Sequence, residues 1–215
     1  DFVGEHRAHL FAPEPIGPPR MAAEALLMHA VGRDRAFLHA HPEYELTQRE
    51  AREFEAAIAK RASGIPLQYI TGHQEFWGLD FVVNPAVLIP RPETEHLVES
   101  ALELIRASAN ERPCIIDVGT GSGCIILSVA HEVQESDLHA VDISQPALQV
   151  ARNNAERLNL AERVQFHEGD LLTNFLGATG SFDFVLSNPP YVGRSEADKV
   201  QREVREHEPE VAVFG

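Results

Sequence analysis

Residues 188–191, Asn-Pro-Pro-Tyr, are well suited to receive a planar nitrogen compound. Asn188 carries an amide oxygen that accepts and an NH2 that donates, so it can pair with an amide or aminopyrimidine edge. Pro189 and Pro190 cannot donate backbone hydrogen bonds and they fix φ. They therefore end the preceding strand and stiffen a loop at its carboxyl end, where ligands bind in open α/β sheets. Tyr191 offers a flat apolar face beside the amide. An Asx-Pro turn that only closes a strand uses the same residues, so the tetrapeptide needs company to carry chemistry.

That company begins at Gly119-Thr120-Gly121-Ser122-Gly123, between the apolar runs Cys114–Val118 and Cys124–Ala130. Alternate glycines let the chain turn sharply and let a ligand approach where a Cβ would block it. Free N–H groups opening the following helix favour a polar or anionic group. The dinucleotide fingerprint spaces its glycines G-x-G-x-x-G/A. Here the spacing is G-x-G-x-G, with Cys124 where the last small residue would fall. Asp142 ends the run Leu138–Asp142, 19 residues after Gly123. A carboxylate there can accept both hydroxyls of a ribose. Asp170 and Leu171 follow a fourth run, Val164–His167, and Asp170 serves equally well as a simple turn acid.

These residues need a scaffold, and the apolar periodicity supplies an α/β one. The runs 114–118, 138–142, 164–167 and 182–187 read as strands, with helices after Gly123 and over 146–158. Upstream, Met21–Val31 reads as a helix stopped by Gly32, and 35–41 as a short helical turn. Thr47-Gln48-Arg49-Glu50 is a capping box opening a helix that ends at Gly64. From Ile65 the period changes. Leu67–Thr71 and Phe76–Val83 are expected to be two strands joined through Gly72-His73-Gln74. A further helix starts at Pro92 or Thr94 and runs to Ala107. Arg91, Glu93 and Glu95 are expected where this linker meets the glycine turn. Residues 1–20 hold four prolines and two glycines and read as irregular. Residues 195–210 are strongly charged and read as a solvated helix or flap.

Composition bounds the partners. A hydrophobic share of 44% and a charged share of 24% are ordinary for a globular chain. Eighteen basic against 33 acidic residues give a net charge of −15, which counts against nucleic acid as a partner. The two cysteines, Cys114 and Cys124, are expected to pack in the core rather than form a disulfide or a metal site. His29, His39 and His41 match no zinc spacing. No apolar run is long enough for a membrane span and no signal-peptide pattern is present, so the cytoplasm is the expected location.

Asp-Val-Gly-Thr-Gly-Ser-Gly at 117–123, taken with Asn-Pro-Pro-Tyr at 188–191, resembles the S-adenosylmethionine-dependent amino-methyltransferases. Gln-Tyr-Ile-Thr-Gly at 68–72, Glu-Phe-Trp-Gly-Leu at 75–79 and Ile-Pro-Arg-Pro-Glu-Thr-Glu at 89–95 narrow the likeness to the release factor glutamine methyltransferases. The resemblance implies a class I, Rossmann-like methyltransferase domain over 91–215, a β-hairpin linker over 65–90 and a helical substrate-recognition domain over 1–64. It implies S-adenosylmethionine as cofactor, with S-adenosylhomocysteine as product. Gly119, Thr120, Gly121, Ser122, Gly123, Asp142, Ile143, Asp170, Leu171 and Asn188 would hold it.

By the same resemblance the partner is a class 1 peptide chain release factor, methylated on the glutamine of its Gly-Gly-Gln loop. Asn188, Pro189, Pro190 and Tyr191 would bind that glutamine and carry the reaction. A nucleic acid adenine or a ribosomal-protein glutamine offers similar hydrogen-bonding groups and stays open as an acceptor. So does a non-catalytic binding module of the same fold. In two respects the sequence departs from the family: only four of the seven sheet strands can be counted, suggesting a chain cut short, and residues 1–20 fit the family's first helix poorly.

Overall fold

A computed structural model of the protein describes residues 19–176 and 182–215. The expectation for residues 1–20 thus falls almost wholly outside the described residues; Pro19 and Arg20 already belong to the first helix.

Among the described residues four helices build the N-terminal part: α1 (Pro19–Val31), α2 (Arg35–Ala40), α3 (Gln48–Ala62) and α4 (Leu67–Thr71). Thr47 caps α3 as its sequence requires. Its hydroxyl accepts from Glu50 N–H, and the Glu50 carboxylate accepts from Thr47 N–H at 2.7 Å. The expected strand at 67–71 is α4 instead. Pro66 starts it, Gly72 at φ 80° stops it, and its side chains pack on α1 and α3 rather than pairing with a strand. Short apolar runs do not distinguish the two periods, and tertiary packing decided for the helix.

A hairpin does follow, displaced from its expected register. β1 (His73–Phe76) pairs antiparallel with β2 (Leu79–Val82), and Phe76 faces Leu79. The turn is Trp77-Gly78, both at positive φ (55° and 69°), which matches the right-handed twist of a two-residue hairpin. A tryptophan at positive φ is costly, and two carboxylates hold it there. Glu95 accepts from Trp77 N–H at 2.9 Å, and Glu132 accepts from the indole Nε1 at 3.2 Å. Glu95 therefore serves the hairpin, not the ligand cavity as expected. Phe76 and Phe81 bury fully, edge to face.

The central sheet has four parallel strands in the order β5-β4-β3-β6 among the described residues: β3 (Cys114–Val118), β4 (Asp137–Asp142), β5 (Val164–Glu168) and β6 (Phe184–Ser187). The chain steps outward from β3 to β5 and then returns to the other side of β3 for β6. That reversal opens a crevice at the carboxyl ends of β3 and β6. Helices α5 (Glu95–Ala107), α6 (Cys124–Glu132) and α7 (Gln145–Arg157) cover one face. On the other face Ile116, Val118 and Val141 pack under Leu172, Phe175 and Phe182.

The segment expected to be solvated is packed. α8 (Arg202–His207) and α9 (Glu210–Val213) bury Val200, Val204 and Val213 against Val192. Alternate charged residues face water while the valines face inward, so a charged composition concealed an apolar stripe. Arg61 of α3 pairs with Glu203 at 2.9 Å, which ties the helical layer to this segment. No helix of the described residues is long and apolar enough to cross a membrane.

Candidate active site

The crevice holds a cavity of about 340 Å3, inside the roughly 300–1,000 Å3 range of small-molecule sites. Gly119, Thr120, Gly121 and Ser122 form its floor, Asp142 and Ile143 one wall, Asp170 and Leu171 another, and Asn188, Pro189 and Pro190 its rim. Four separate βα connections thus converge on one space. Gly123 is not part of the lining. A Cβ there would lie 3.0 Å from Leu127 Cδ1 and 3.3 Å from Ala151 Cβ, so this glycine lets α6 and α7 approach. At Gly121 (φ 56°) a Cβ would meet nothing within 4 Å, because that side is the open cavity.

The turn holds itself rather than offering its N–H groups freely. Gly119 and Thr120 N–H both donate to Val141 O, and Gly123 N–H donates to Thr120 O. Gly121 N–H donates to Asp142 Oδ2 at 2.8 Å, and Asp142 Oδ1 accepts from Ser144 N–H at 2.9 Å. These four amides of the turn are therefore spent within the protein, ahead of the N–H groups that open α6. Asp142 locks the turn in place, and each of its oxygens keeps a lone pair for a ribose hydroxyl.

Beneath the turn Asp117 is fully buried, and burial pushes its carboxyl up to about 7. The Thr120 hydroxyl, donating to Asp117 Oδ2 at 2.7 Å, works against that rise. Ile143 and Leu171 are 56% and 65% exposed, two large apolar side chains on the same cavity. Leu171 sits at φ 51°, a costly state for such a residue and one that concentrates at ligand clamps. A wall acid with spare lone pairs, a floor opened by Gly119 and Gly121, and apolar flanks suit a nucleobase carried on a ribose. The cavity fits the group implied by the sequence.

At the rim, Asn188 Nδ2 donates to Thr94 Oγ1 at 3.2 Å, and Thr94 is itself buried. This contact fixes which way the amide faces. Arg91 lines the same cavity and pairs with Glu208, whose other oxygen accepts from Ile89 N–H at 3.2 Å. Burial drives the Glu208 carboxyl above its usual range, and the Arg91 charge opposes that. Val211, Ala212 and Phe214 complete the lining from the C-terminal segment.

Tyr191 packs on the Val192–Val213 cluster and does not line the main cavity; it borders a smaller void of about 10 Å3 together with Asn188 and Pro189. Thr94, Glu208 and Asn154 went unrecognised as site residues in the sequence. Asn154 is wholly buried, accepts from Val82 N–H, and donates to Val82 O and to Ser122 O at 2.9 Å. A polar residue on the buried face of an amphipathic helix was the available signal.

The family model of the PrmC N-terminal domain matches residues 6–72, and that of the methyltransferase small domain matches 97–209. The release factor glutamine methyltransferase of Koribacter versatilis is 54% identical over 197 residues, which is 92% of this chain and 69% of that protein. This chain belongs to the release factor glutamine methyltransferase family. The relative from Chlorobaculum tepidum is 44% identical over 94% of this chain and 71% of its own length. That from Bacillus subtilis is 42% identical over 90% and 67%. The N-terminal match reaches back to residue 6, into a stretch whose fit to the family was expected to be poor. The methyltransferases of this family therefore align with both the helical layer and the cavity-bearing sheet.

Proposed function

We propose that this protein transfers a methyl group from S-adenosylmethionine to the side-chain amide nitrogen of the Gly-Gly-Gln glutamine in class 1 peptide chain release factors. The observation that carries the reading is the convergence of the glycine turn, Asp142 and Asn188 on one cavity, with Asn188 oriented by Thr94. When bound, the cofactor supplies an electrophilic methyl group.

An amide nitrogen is a poor nucleophile because its lone pair is delocalised into the carbonyl. The chain's contribution is therefore placement and polarisation. One Asn188 N–H is spent on Thr94, which leaves its oxygen and second N–H for the substrate amide. Asn188 Oδ1 accepts one N–H of the glutamine and the Pro189 carbonyl accepts the other, turning the lone pair toward the cavity. No strong base is required, since the proton leaves after positive charge has developed. Well-oriented approach of this kind supplies up to about 7–11 kcal/mol of a barrier. Asp142 would hold the ribose, and Ile143, Asp170 and Leu171 would hold the adenine. The helical layer at the N-terminus is the part that grips the release factor.

The test is methyl transfer from labelled cofactor to purified release factor, with the Gly-Gly-Gln glutamine replaced as control. Labelling disappears with that replacement, and DNA and ribosomal proteins stay unlabelled. Asn188→Ala lowers turnover about 100-fold or more while cofactor affinity holds within a few-fold. Unchanged turnover in that variant refutes the role of Asn188.

A further inference from the structure

At the amino ends of the two central strands, outside the cavity, Cys114 Sγ, an Asp137 carboxylate oxygen and a His139 ring nitrogen lie within 4.8 Å of one another. Cys114 opens β3, one five-residue strand away from the glycine turn, roughly 16 Å at about 3.3 Å per residue. The register makes the cluster: Cys114 pairs with Asp137, and His139 follows two residues on, so all three side chains share one face. Cys114 is only partly buried, unlike Cys124, and in place of the core packing expected for both we propose that Cys114, Asp137 and His139 form a binding site for a divalent transition metal, best matched by zinc.

Three features support it. Thiolate, imidazole and carboxylate are together a zinc-type donor set. His139 Nε2 stands 3.6 Å from Asp137 Oδ1, against the spacing of about 3.3–3.6 Å that adjacent ligands take around a tetrahedral zinc. His139 Nδ1 lies 3.0 Å from His167 Nε2. With His139 Nδ1–H donating along that bond, His139 Nε2 carries a free lone pair, and His167 fills the outer-partner place that a carboxylate, carbonyl or water more often takes beside a metal-bound histidine.

The backbone at Cys114 is pinned as well, since its N–H donates to Asp183 Oδ2 at 2.8 Å. The Asp137 side chain is 48% exposed, which gives an ion a path in and leaves the fourth position to water. The thiol proton is released to solvent as the sulfur–metal bond forms. The site joins β3 to β4 at their amino ends and takes no part in methyl transfer.

The probe is Co2+ titrated into the metal-free full chain, followed by absorption. One equivalent binds and produces a thiolate-to-cobalt charge-transfer band. Cys114→Ser abolishes that band, His139→Gln weakens binding at least 10-fold, and His167→Phe weakens it about 10- to 100-fold. On the unaltered protein, Co2+ or Zn2+ slows alkylation of Cys114, a readout that does not depend on any variant folding. Binding without the band, a band that survives Cys114→Ser, or undiminished alkylation each overturns the proposal. The other cysteine, Cys124, is buried and serves as the internal control for alkylation.

Discussion

Replacing Asp117 by Asn gives a stability change whose pH dependence follows from burial. The carboxyl is wholly inside the protein, and desolvation raises it from 3.8 to about 7; the charge of Asp142 adds to the rise and the Thr120 hydroxyl opposes it. A folded-state pKa above the unfolded value means that the native state favours the protonated acid. The stability this contributes is complete below about pH 4, drains away as pH rises, and is gone above about 7. A shift of about 3 units at about 1.36 kcal/mol each gives a total near 4 kcal/mol. Between pH 5 and 7 the loss is about 2 kcal/mol. Asn does not titrate, so the difference between parent and variant isolates this group from every other titration. The assay is urea unfolding of the cofactor-free protein at pH 5, 6 and 7, because bound ligand would add its own linkage. The parent should lose about 2 kcal/mol relative to Asp117→Asn across that range. A difference constant to within about 0.5 kcal/mol would show that Asp117 stays ionised in the fold, and would refute the reasoning.

Glu208→Ala leaves the Arg91 guanidinium buried without its partner and should cost about 3–5 kcal/mol by urea unfolding; a loss under 1 kcal/mol would mean that the segment opens to water with ease. Asn154→Ala strands the Val82 N–H and two carbonyls, for about 2–3 kcal/mol. Faster hydrogen exchange at Val82 should accompany it, and unaltered exchange counts against the staple. Thr94→Val removes the acceptor that orients Asn188 and should cut turnover about 10-fold with little change in cofactor affinity, while Thr94→Ser restores it. Equal losses in the Val and Ser variants would place the effect in packing instead.

Local chemistry wrote most of the elements into the sequence. Gly32 and Gly64, the Thr47–Glu50 box and the two prolines after Asn188 act on their own backbone, so their effect is legible without a fold. The glycine turn, the acid closing the next strand and the Asn-Pro-Pro rim were likewise readable, because each sits at the carboxyl end of a strand that its own apolar run announces. Only the tertiary structure decided the rest. Leu67–Thr71 is helical because α1 and α3 offer it a packing surface, a fact held in other helices and not in its own five residues. Tyr191 turned into the valine cluster, and Glu208 reached back 117 residues to Arg91. Asn154 found Val82 and Ser122 together. These are contacts between distant segments, in which each partner satisfies a buried polar group or fills a void left by the other. No single stretch of sequence carries that information, because the energy belongs to the pair.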